Sequence, residues 1–255
     1  MQQMTATPTP ASLDHWQERT DLAAAFRWAA RLGMNEAVAN HFSLSVNDDG
    51  TRFLINPNQR HFSRIRASEL LELDATDRSA LEGPDAPDPT AWGLHGAIHR
   101  LCPHASCVMH THAIWSTVLA CLADSTLPPI DQNTATFHDR VVVDTGYGGL
   151  AFEAEGERCA ALLQDDPKKQ VMVMGHHGVL VVGSSVADTF NRLYYFERAA
   201  ETYIRALQTG QRLRVLPAEI AEKTAAELED YPGQAEAHLS EIRAILDDEG
   251  DTYAT

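Results

Sequence analysis

The sequence predicts an α/β protein in which helices cover both faces of one β-sheet. Segments with apolar residues at helical spacing alternate with short runs of the kind that form strands. Their order is helix, hairpin, helix, strand, helix, strand, helix, hairpin, helix, which is typical of helices packed on a sheet. The chain has 255 residues and no low-complexity linker, so it is long enough for one large domain with a substantial core.

The first half of the chain predicts the first hairpin and the helices around it. Polar and apolar residues alternate over 40–46, turn-forming residues follow, and an apolar run returns at 53–55. Gly33 stands where a helix C-cap is expected, and Ser68 and Thr90 stand where N-caps are expected. The predicted elements are a helix over 22–32, strands over 40–46 and 53–55, a short helix over 67–71, a loop over 83–89 and a helix over 90–101.

The second half predicts the remaining strands and a long helix. Apolar runs of four or five residues predict buried strands, and a capping box at Ser185 opens a helix that continues to about Gln208. Two acidic amphipathic segments end the chain. The predicted elements are strands over 106–110, 141–143, 171–174 and 179–182, and helices over 113–122, 153–164, 185–208, 218–229 and 234–247.

The pattern divides the chain into three parts. Residues 1–15 begin with a polar stretch rich in Thr, Pro and Ala, which predicts a flexible N-terminal segment. Residues 16–210 hold the predicted sheet and its helices, and we interpret them as one domain. Residues 211–255 are predicted to be a C-terminal helical extension.

Composition argues against several classes of partner. The net charge is 20 − 36 = −16, so a basic patch for nucleic acid is not expected. An N-terminal secretory segment and an apolar run of membrane-spanning length are both missing from the sequence, which favours a cytoplasmic protein with no membrane partner. The spacings of Cys102, Cys107, Cys121 and Cys159 match neither a zinc motif nor a disulfide framework, so we expect reduced thiols.

Three histidines predict a metal site. His110 and His112 follow a buried strand, and side chains two residues apart on a strand point to the same side. His177 follows a second apolar strand in a glycine-flanked turn and can supply a third imidazole. Imidazole nitrogen is a good ligand for Zn, Mn or Fe, so we expect one divalent metal ion per subunit with positions open to substrate.

Other polar residues are candidates for substrate binding or for structure. Asn40, His41, Ser43 and Asn56 lie at the ends of the predicted hairpin, where they can hold substrate oxygens or simply satisfy the turns. His95 and His99 share one face of a predicted helix, but the glutamate of a zinc-protease motif is missing. Packing is the ordinary role for such a pair, and His95 is the one that can reach the site.

Several motifs together resemble the class II aldolase/adducin family, and its adducin-like bacterial branch in particular. The resemblance runs over about residues 20–208. The motifs that carry it are Asn40-His41-Phe42-Ser43, Phe53-Leu54-Ile55-Asn56-Pro57, His95-Gly96-Ala97-Ile98-His99, Val108-Met109-His110-Thr111-His112, His177-Gly178-Val179-Leu180 and Ala187-Asp188-Thr189-Phe190-Asn191. It implies a three-layer α/β/α fold with a mixed, largely antiparallel sheet, and a homotetramer with active sites between subunits. It also implies that His110, His112 and His177 bind the metal ion.

The sequence departs from the family's sugar-phosphate aldolases at two places. The position that holds their catalytic glutamate, four residues before His95, is occupied by Ala91. The segments that hold phosphate are also changed, at 40–43 and at 56–59. The resemblance implies a metal-dependent enzyme that acts on a small molecule, and the two departures argue against a sugar phosphate as its substrate.

The remaining chemistry leaves three hypotheses. The first is a lyase that breaks a carbon–carbon bond in a non-phosphorylated oxo- or hydroxy-acid, as a decarboxylase or an aldolase-like enzyme. Decarboxylation suits the missing glutamate because the leaving group, CO2, needs no base. The second hypothesis is an Fe(II) oxygenase on the same three histidines, and the third is a non-catalytic adducin-like scaffold. Candidates for the acid that reprotonates the substrate are Tyr147, Tyr194, His41 and His138.

Overall fold

The architecture comes from a computed structural model that describes residues 13–83, 86–149 and 152–255. Most of the predicted N-terminal segment, residues 1–12, lies outside the described residues. The helices are α1 Trp16–Arg31, α2 Pro89–Leu101, α3 Ile114–Ala120, α4 Gln132–Thr136, α5 Phe152–Leu163, α6 Val186–Gln208, α7 Ala218–Glu229 and α8 Gln234–Asp248. The strands are β1 His41–Ser45, β2 Arg52–Ile55, β3 Leu71–Asp74, β4 Cys107–Thr111, β5 Val141–Asp144, β6 Val171–Met174 and β7 Gly178–Gly183.

All seven strands join one sheet in the order β3-β2-β1-β4-β7-β6-β5. Strands β5 and β6 run parallel, and every other neighbouring pair is antiparallel. The predicted mixed, largely antiparallel sheet is therefore confirmed. Strand β4 lies at the centre, where all five of its residues are buried, which is why it is a continuous apolar run up to His110.

Helices cover both faces of the sheet, as the sequence predicts. Helices α2 and α5 pack on each other and on one face, where Val108 and Leu180 point. Helices α1, α3, α6 and α8 cover the other face, where Met109 and Val181 point. Because side chains alternate along a strand, His110 shares the α2 face with Val108. The three-layer α/β/α fold is confirmed, and it directs His110 towards α2.

Two local predictions differ from the structure. The short helix predicted over 67–71 is a single 3₁₀ turn, Ala67–Glu69, and strand β3 begins two residues later. Strand β3 forms because Leu71 and Leu73 alternate with acidic residues and pair with β2 at the sheet edge. Helix α4 is only five residues long, too short to show a helical repeat, so the sequence analysis missed it.

The C-terminal segment packs closely on the rest of the fold. Leu239, Ile242 and Leu246 of α8 are buried in the same core cluster as α1 and α6. The backbone nitrogen of Ala67 donates to the carbonyl of Tyr253 at 2.8 Å, and the Tyr253 side chain is buried. The division at residue 210 stays a prediction, but α8 contributes directly to the core of residues 16–210.

Candidate metal centre

Strand β4 orients the first two histidines of the predicted site. Nδ1 of His110 donates to the carbonyl oxygen of Val179 on β7 at 3.0 Å, which leaves its Nε2 as the nitrogen with a free lone pair. That Nε2 lies 3.2 Å from Nε2 of His112. Two imidazole nitrogens therefore point at one place from a single strand end, as the spacing predicts.

The turn between β6 and β7 brings His177 to the same place. Gly178 follows His177, and a Cβ at Gly178 would lie 2.5 Å from the carbonyl oxygen of Thr111, so only glycine allows this close approach. The ring of His177 lies 4.8 Å from the ring of His110 and 4.7 Å from that of His112. One ring nitrogen of each histidine lies within 4.8 Å of the other two.

The donor set fits a divalent metal ion. Nδ1 of His177 is buried and has no hydrogen-bond partner among the described residues, although a buried polar atom normally has one. Burial lowers the pKa of His112 to about 4 and the pKa of His110 well below its ordinary range, so both rings are neutral and can donate a lone pair. Three imidazoles that converge in this way have the donor atoms that a divalent cation binds.

The three histidines open into a cavity of about 180 Å³. It also contains four residues that the sequence analysis proposed for substrate or catalysis, namely Asn40, His41, Asn56 and Tyr147. Tyr147 is 47% exposed, and its ring lies 6.0 Å from that of His177, so it stands at the cavity mouth. The cavity therefore brings together most of the residues proposed for the site.

Four candidates lie outside the cavity wall. Ser43 and His95 are fully buried behind His41, and they reach the site through hydrogen bonds to one another and to that ring. Tyr194 packs against Tyr195 and His238, away from the cavity. His138 likewise is not among the described wall residues.

Asn40 is held in position with one amide group left free. Its backbone has φ 75°, and its Oδ1 accepts from the backbone nitrogens of Glu36 at 2.7 Å and His112 at 3.4 Å. Nδ2 of Asn40 is buried and has no partner in the described part of the chain. Asn56 differs, because its amide bonds the backbone of Phe42 and of Asn40 at 3.3 Å each. Asn40 is thus the amide that can bind a substrate oxygen.

Two carboxylates of the cavity wall were missed by the sequence analysis. Asp88 is the true N-cap of α2, a position predicted for Thr90, and its Oδ1 accepts from the backbone nitrogen of Thr90 at 2.8 Å. The pair Asp88-Pro89 is a helix-start signal that could have revealed it. Glu155 reaches the cavity from α5, and no local sequence signal marks it. Ala91 also lines the cavity, so the residue at the glutamate position does face the site.

Acid is expected to destabilise the protein through its buried histidines. Burial lowers the pKa of His99 from 6.5 to about 4, so between these values the unfolded chain binds a proton that the folded chain does not. The stability that neutral His99 provides is complete above pH 6.5 and falls as the pH approaches 4. At pH 5 the loss from this residue is about 2 kcal/mol. Urea unfolding at pH 7 and pH 5 measures this loss as a fall in the free energy of unfolding. The fall should be correspondingly smaller in His99→Gln. An equal fall in both proteins would show that His99 does not cause it.

Fold and site together define an α/β/α protein in which three histidines, able to hold a metal ion, converge at the ends of central strands of a mixed sheet. Comparison with known proteins gives its family. A family profile described as Class II Aldolase and Adducin N-terminal domain matches residues 20–204. The chain belongs to the class II aldolase/adducin family.

Three similar proteins show the range of this family. A solved structure of an aldolase II superfamily protein from Pseudomonas syringae is 30% identical, with a TM-score of 0.82 and coverage of 96% of this chain and 97% of that one. The 5-methylthioribulose-1-phosphate/5-deoxyribulose-1-phosphate aldolase of Rhodospirillum rubrum is 28% identical over 86% of this chain and 94% of its own length. Alpha-adducin of Rattus norvegicus is 27% identical over 75% of this chain, which matches only 26% of the adducin.

Within residues 13–83, 86–149 and 152–255, no helix combines the length and the apolar character needed to cross a bilayer.

Proposed function

We propose that this protein is a divalent-metal-dependent lyase that breaks a carbon–carbon bond in a non-phosphorylated oxo- or hydroxy-acid, with decarboxylation as the favoured reaction. The observation that carries the proposal is the cavity itself. Its wall combines His110, His112 and His177 with Ala91, the residue at the position of the aldolase glutamate. A metal site without that general base suits a reaction whose leaving group needs no deprotonation.

Six residues of the cavity wall have a task in this proposal. His110, His112 and His177 would hold Zn, Mn or Fe, and the ion would act as a Lewis acid on the substrate oxygens. Nδ2 of Asn40 donates a hydrogen bond to a substrate carboxylate or carbonyl oxygen. His41 and Tyr147 are the candidates that exchange a proton with the substrate, because both lie in the cavity wall.

The character of the wall supports a substrate without phosphate. Neither lysine nor arginine is among the described residues that line the cavity. Phosphate sites ordinarily use such cations or the N-terminus of a helix, and the N-terminus of α2 is already occupied by the carboxylate of Asp88. Asp88 and Glu155 add negative charge to the wall and would repel a dianion.

The alternatives make different predictions about the metal ion. A non-catalytic scaffold, as in adducin, has no need for converging imidazoles and an unpartnered Nδ1 on His177. An Fe(II) oxygenase would use the same three histidines, although the usual site of that class contains a carboxylate. Consumption of oxygen with the iron-loaded protein would favour the oxygenase over the lyase.

We extend the proposal to assembly and location. We expect a cytoplasmic homotetramer with active sites between subunits, acting on small molecules and without nucleic-acid or membrane partners. Two exposed apolar side chains, Val38 of the cavity wall at 45% and Ile114, two residues after His112, at 61%, support a neighbouring subunit at this face. The net charge of −16 supports the absence of a nucleic-acid partner.

The reaction is tested by incubating the protein with a library of oxo- and hydroxy-acids and identifying the products. We expect CO2 release by the metal-loaded protein, lost after chelation, and little cleavage of sugar phosphates. Ala91→Glu should not create sugar-phosphate aldolase activity, because the wall still lacks a cation for the phosphate group. Strong aldol cleavage of a sugar phosphate by the native protein would overturn the proposal.

A further inference from the structure

A continuous line of buried side chains leads away from the metal centre. Nδ1 of His41 lies 2.7 Å from Nε2 of His95, and Nδ1 of His95 lies 2.5 Å from Oγ of Ser43. That same Oγ lies 2.7 Å from Nε2 of His99. Nδ1 of His99 lies 2.9 Å from the carbonyl oxygen of Ala105, where the line ends. This line of side chains therefore contains four hydrogen bonds and crosses from β1 to α2.

The fold explains how these groups meet. His41 and Ser43 are two residues apart on β1 and point to the same face, and His95 and His99 are one turn apart on α2. His41 pairs directly with His110 across the sheet, so the line begins beside a metal ligand. Ser43, His95 and His99 are at most 4% exposed, which keeps water from replacing their bonds.

The carbonyl of Ala105 determines the direction of every bond. A carbonyl can only accept, so Nδ1 of His99 carries a proton. Burial lowers the pKa of His99 to about 4 and that of His95 well below its ordinary range, so both rings are neutral. Nε2 of His99 is then an acceptor for the hydroxyl of Ser43. The hydroxyl oxygen in turn accepts from Nδ1 of His95, and Nε2 of His95 accepts from Nδ1 of His41.

We propose that Ser43, His95 and His99 are positioning residues that hold His41 in a single tautomer, with the proton on Nδ1 and the lone pair of Nε2 available to the cavity. No hydrogen bond from the described residues ends on that Nε2, and His41 is part of the cavity wall. His41 lies outside the group of nitrogens that converge for the metal ion, so its lone pair is available to substrate.

This arrangement narrows the substrate class, and here the inference rests on the proposed function. A fixed hydrogen-bond acceptor in the wall binds a substrate hydroxyl group, which can donate, and forms no hydrogen bond with a carbonyl oxygen, which can only accept. Within the proposed function, the structure therefore favours an acid that carries a hydroxyl group in addition to the carbonyl group that accepts the electron pair when CO2 leaves. Donation from Nδ2 of Asn40 and acceptance by Nε2 of His41 would together bind a carboxylate and its neighbouring hydroxyl.

The tautomer can be measured directly on the zinc-loaded protein with 15N-labelled histidine by solid-state NMR. We expect His41, His95 and His99 each to carry the proton on Nδ1. Ser43→Ala removes the central bond, so His41 should gain a population protonated at Nε2. Ser45→Ala is the matched control, because Ser45 lies on the same strand and its hydroxyl bonds the carbonyl of Asn47, outside the line. Ser43→Thr keeps a hydroxyl and should restore the single tautomer.

Two NMR results would overturn the proposal. One is a proton on Nε2 of His41 in the native protein, and the other is an unchanged His41 tautomer in Ser43→Ala. The NMR measurement does not depend on turnover. If the native protein shows the expected tautomers but releases no CO2, the proposed function is overturned and the line of hydrogen bonds stands.

Paired ligands test the choice of substrate. Lactate and pyruvate differ only in the hydroxyl and carbonyl groups, and we expect the zinc-loaded protein to bind lactate about three- to ten-fold more tightly, the value of one neutral hydrogen bond. Ser43→Ala should reduce this preference and Ser45→Ala should keep it. If both acids bind with equal affinity, or if lactate does not bind, the site does not prefer a hydroxyl group and this part of the proposal is overturned.

Discussion

Replacing His177 by alanine is expected to remove the metal ion from the protein. The three imidazoles are the whole of the converging donor group found among the described residues, so loss of one leaves two ligands on a single strand end. Loss of an outer partner of a metal ligand already costs 10–100-fold in affinity, so loss of a ligand should cost more than about a hundred-fold. Elemental analysis after dialysis, with one metal ion per subunit in the native protein, measures this effect.

His176→Ala is the matched control for this experiment. His176 precedes His177 in the same turn and has a backbone φ of 61°, but it is not a member of the converging group. The control should keep its metal ion, and both variants should keep the native far-ultraviolet spectrum because the sheet lies outside the turn. Full occupancy in His177→Ala, or equal loss in His176→Ala, would contradict the ligand assignment.

The convergence of His110 and His112 was predictable because its geometry is local. A strand places residues two apart on one side, so His110 and His112 follow from spacing alone. His177 required the further expectation that a glycine-flanked turn meets the end of the neighbouring strand, and the pairing of β4 with β7 confirms it. The fold was predictable for the same reason, since the helical and strand periods of the sequence are clear in most elements.

The contacts among the residues around these histidines could not be derived in this way. Ser43 and His99 meet only because β1 packs under α2, and their contact spans 56 positions of the sequence. Glu155 enters the cavity from α5, whose packing against α2 no local pattern reveals. Strand β3 was missed because it has only four residues and follows directly on the 3₁₀ turn Ala67–Glu69, and only its pairing with β2 defines it as a strand.

The attachment of helix α7 is expected to depend on one buried arginine. Arg140 is 1% exposed and bonds both carboxylate oxygens of Glu229 on α7, at 3.2 and 2.9 Å. The same guanidinium also contacts Glu222 on α7 and the carbonyl of His138 at 2.8 Å. These charge-assisted bonds raise the pKa of Arg140 further above its already high value. Helix α7 itself buries little apolar surface, with only Ala221 and Ala225 buried, so the ion pairs should provide much of its attachment.

Arg140→Met is therefore expected to destabilise the protein by about 2–4 kcal/mol, because it removes several charge-assisted hydrogen bonds while the partly exposed glutamates regain water. Urea unfolding measures the loss, and protease cleavage in the exposed segment 209–217 should become faster as α7 detaches more often. Lys168→Met is the matched control, since Lys168 bonds Glu222 from the surface at 3.1 Å and should contribute less than about 1 kcal/mol. If the two variants unfold alike and are cleaved alike, apolar packing rather than Arg140 holds α7 on the fold.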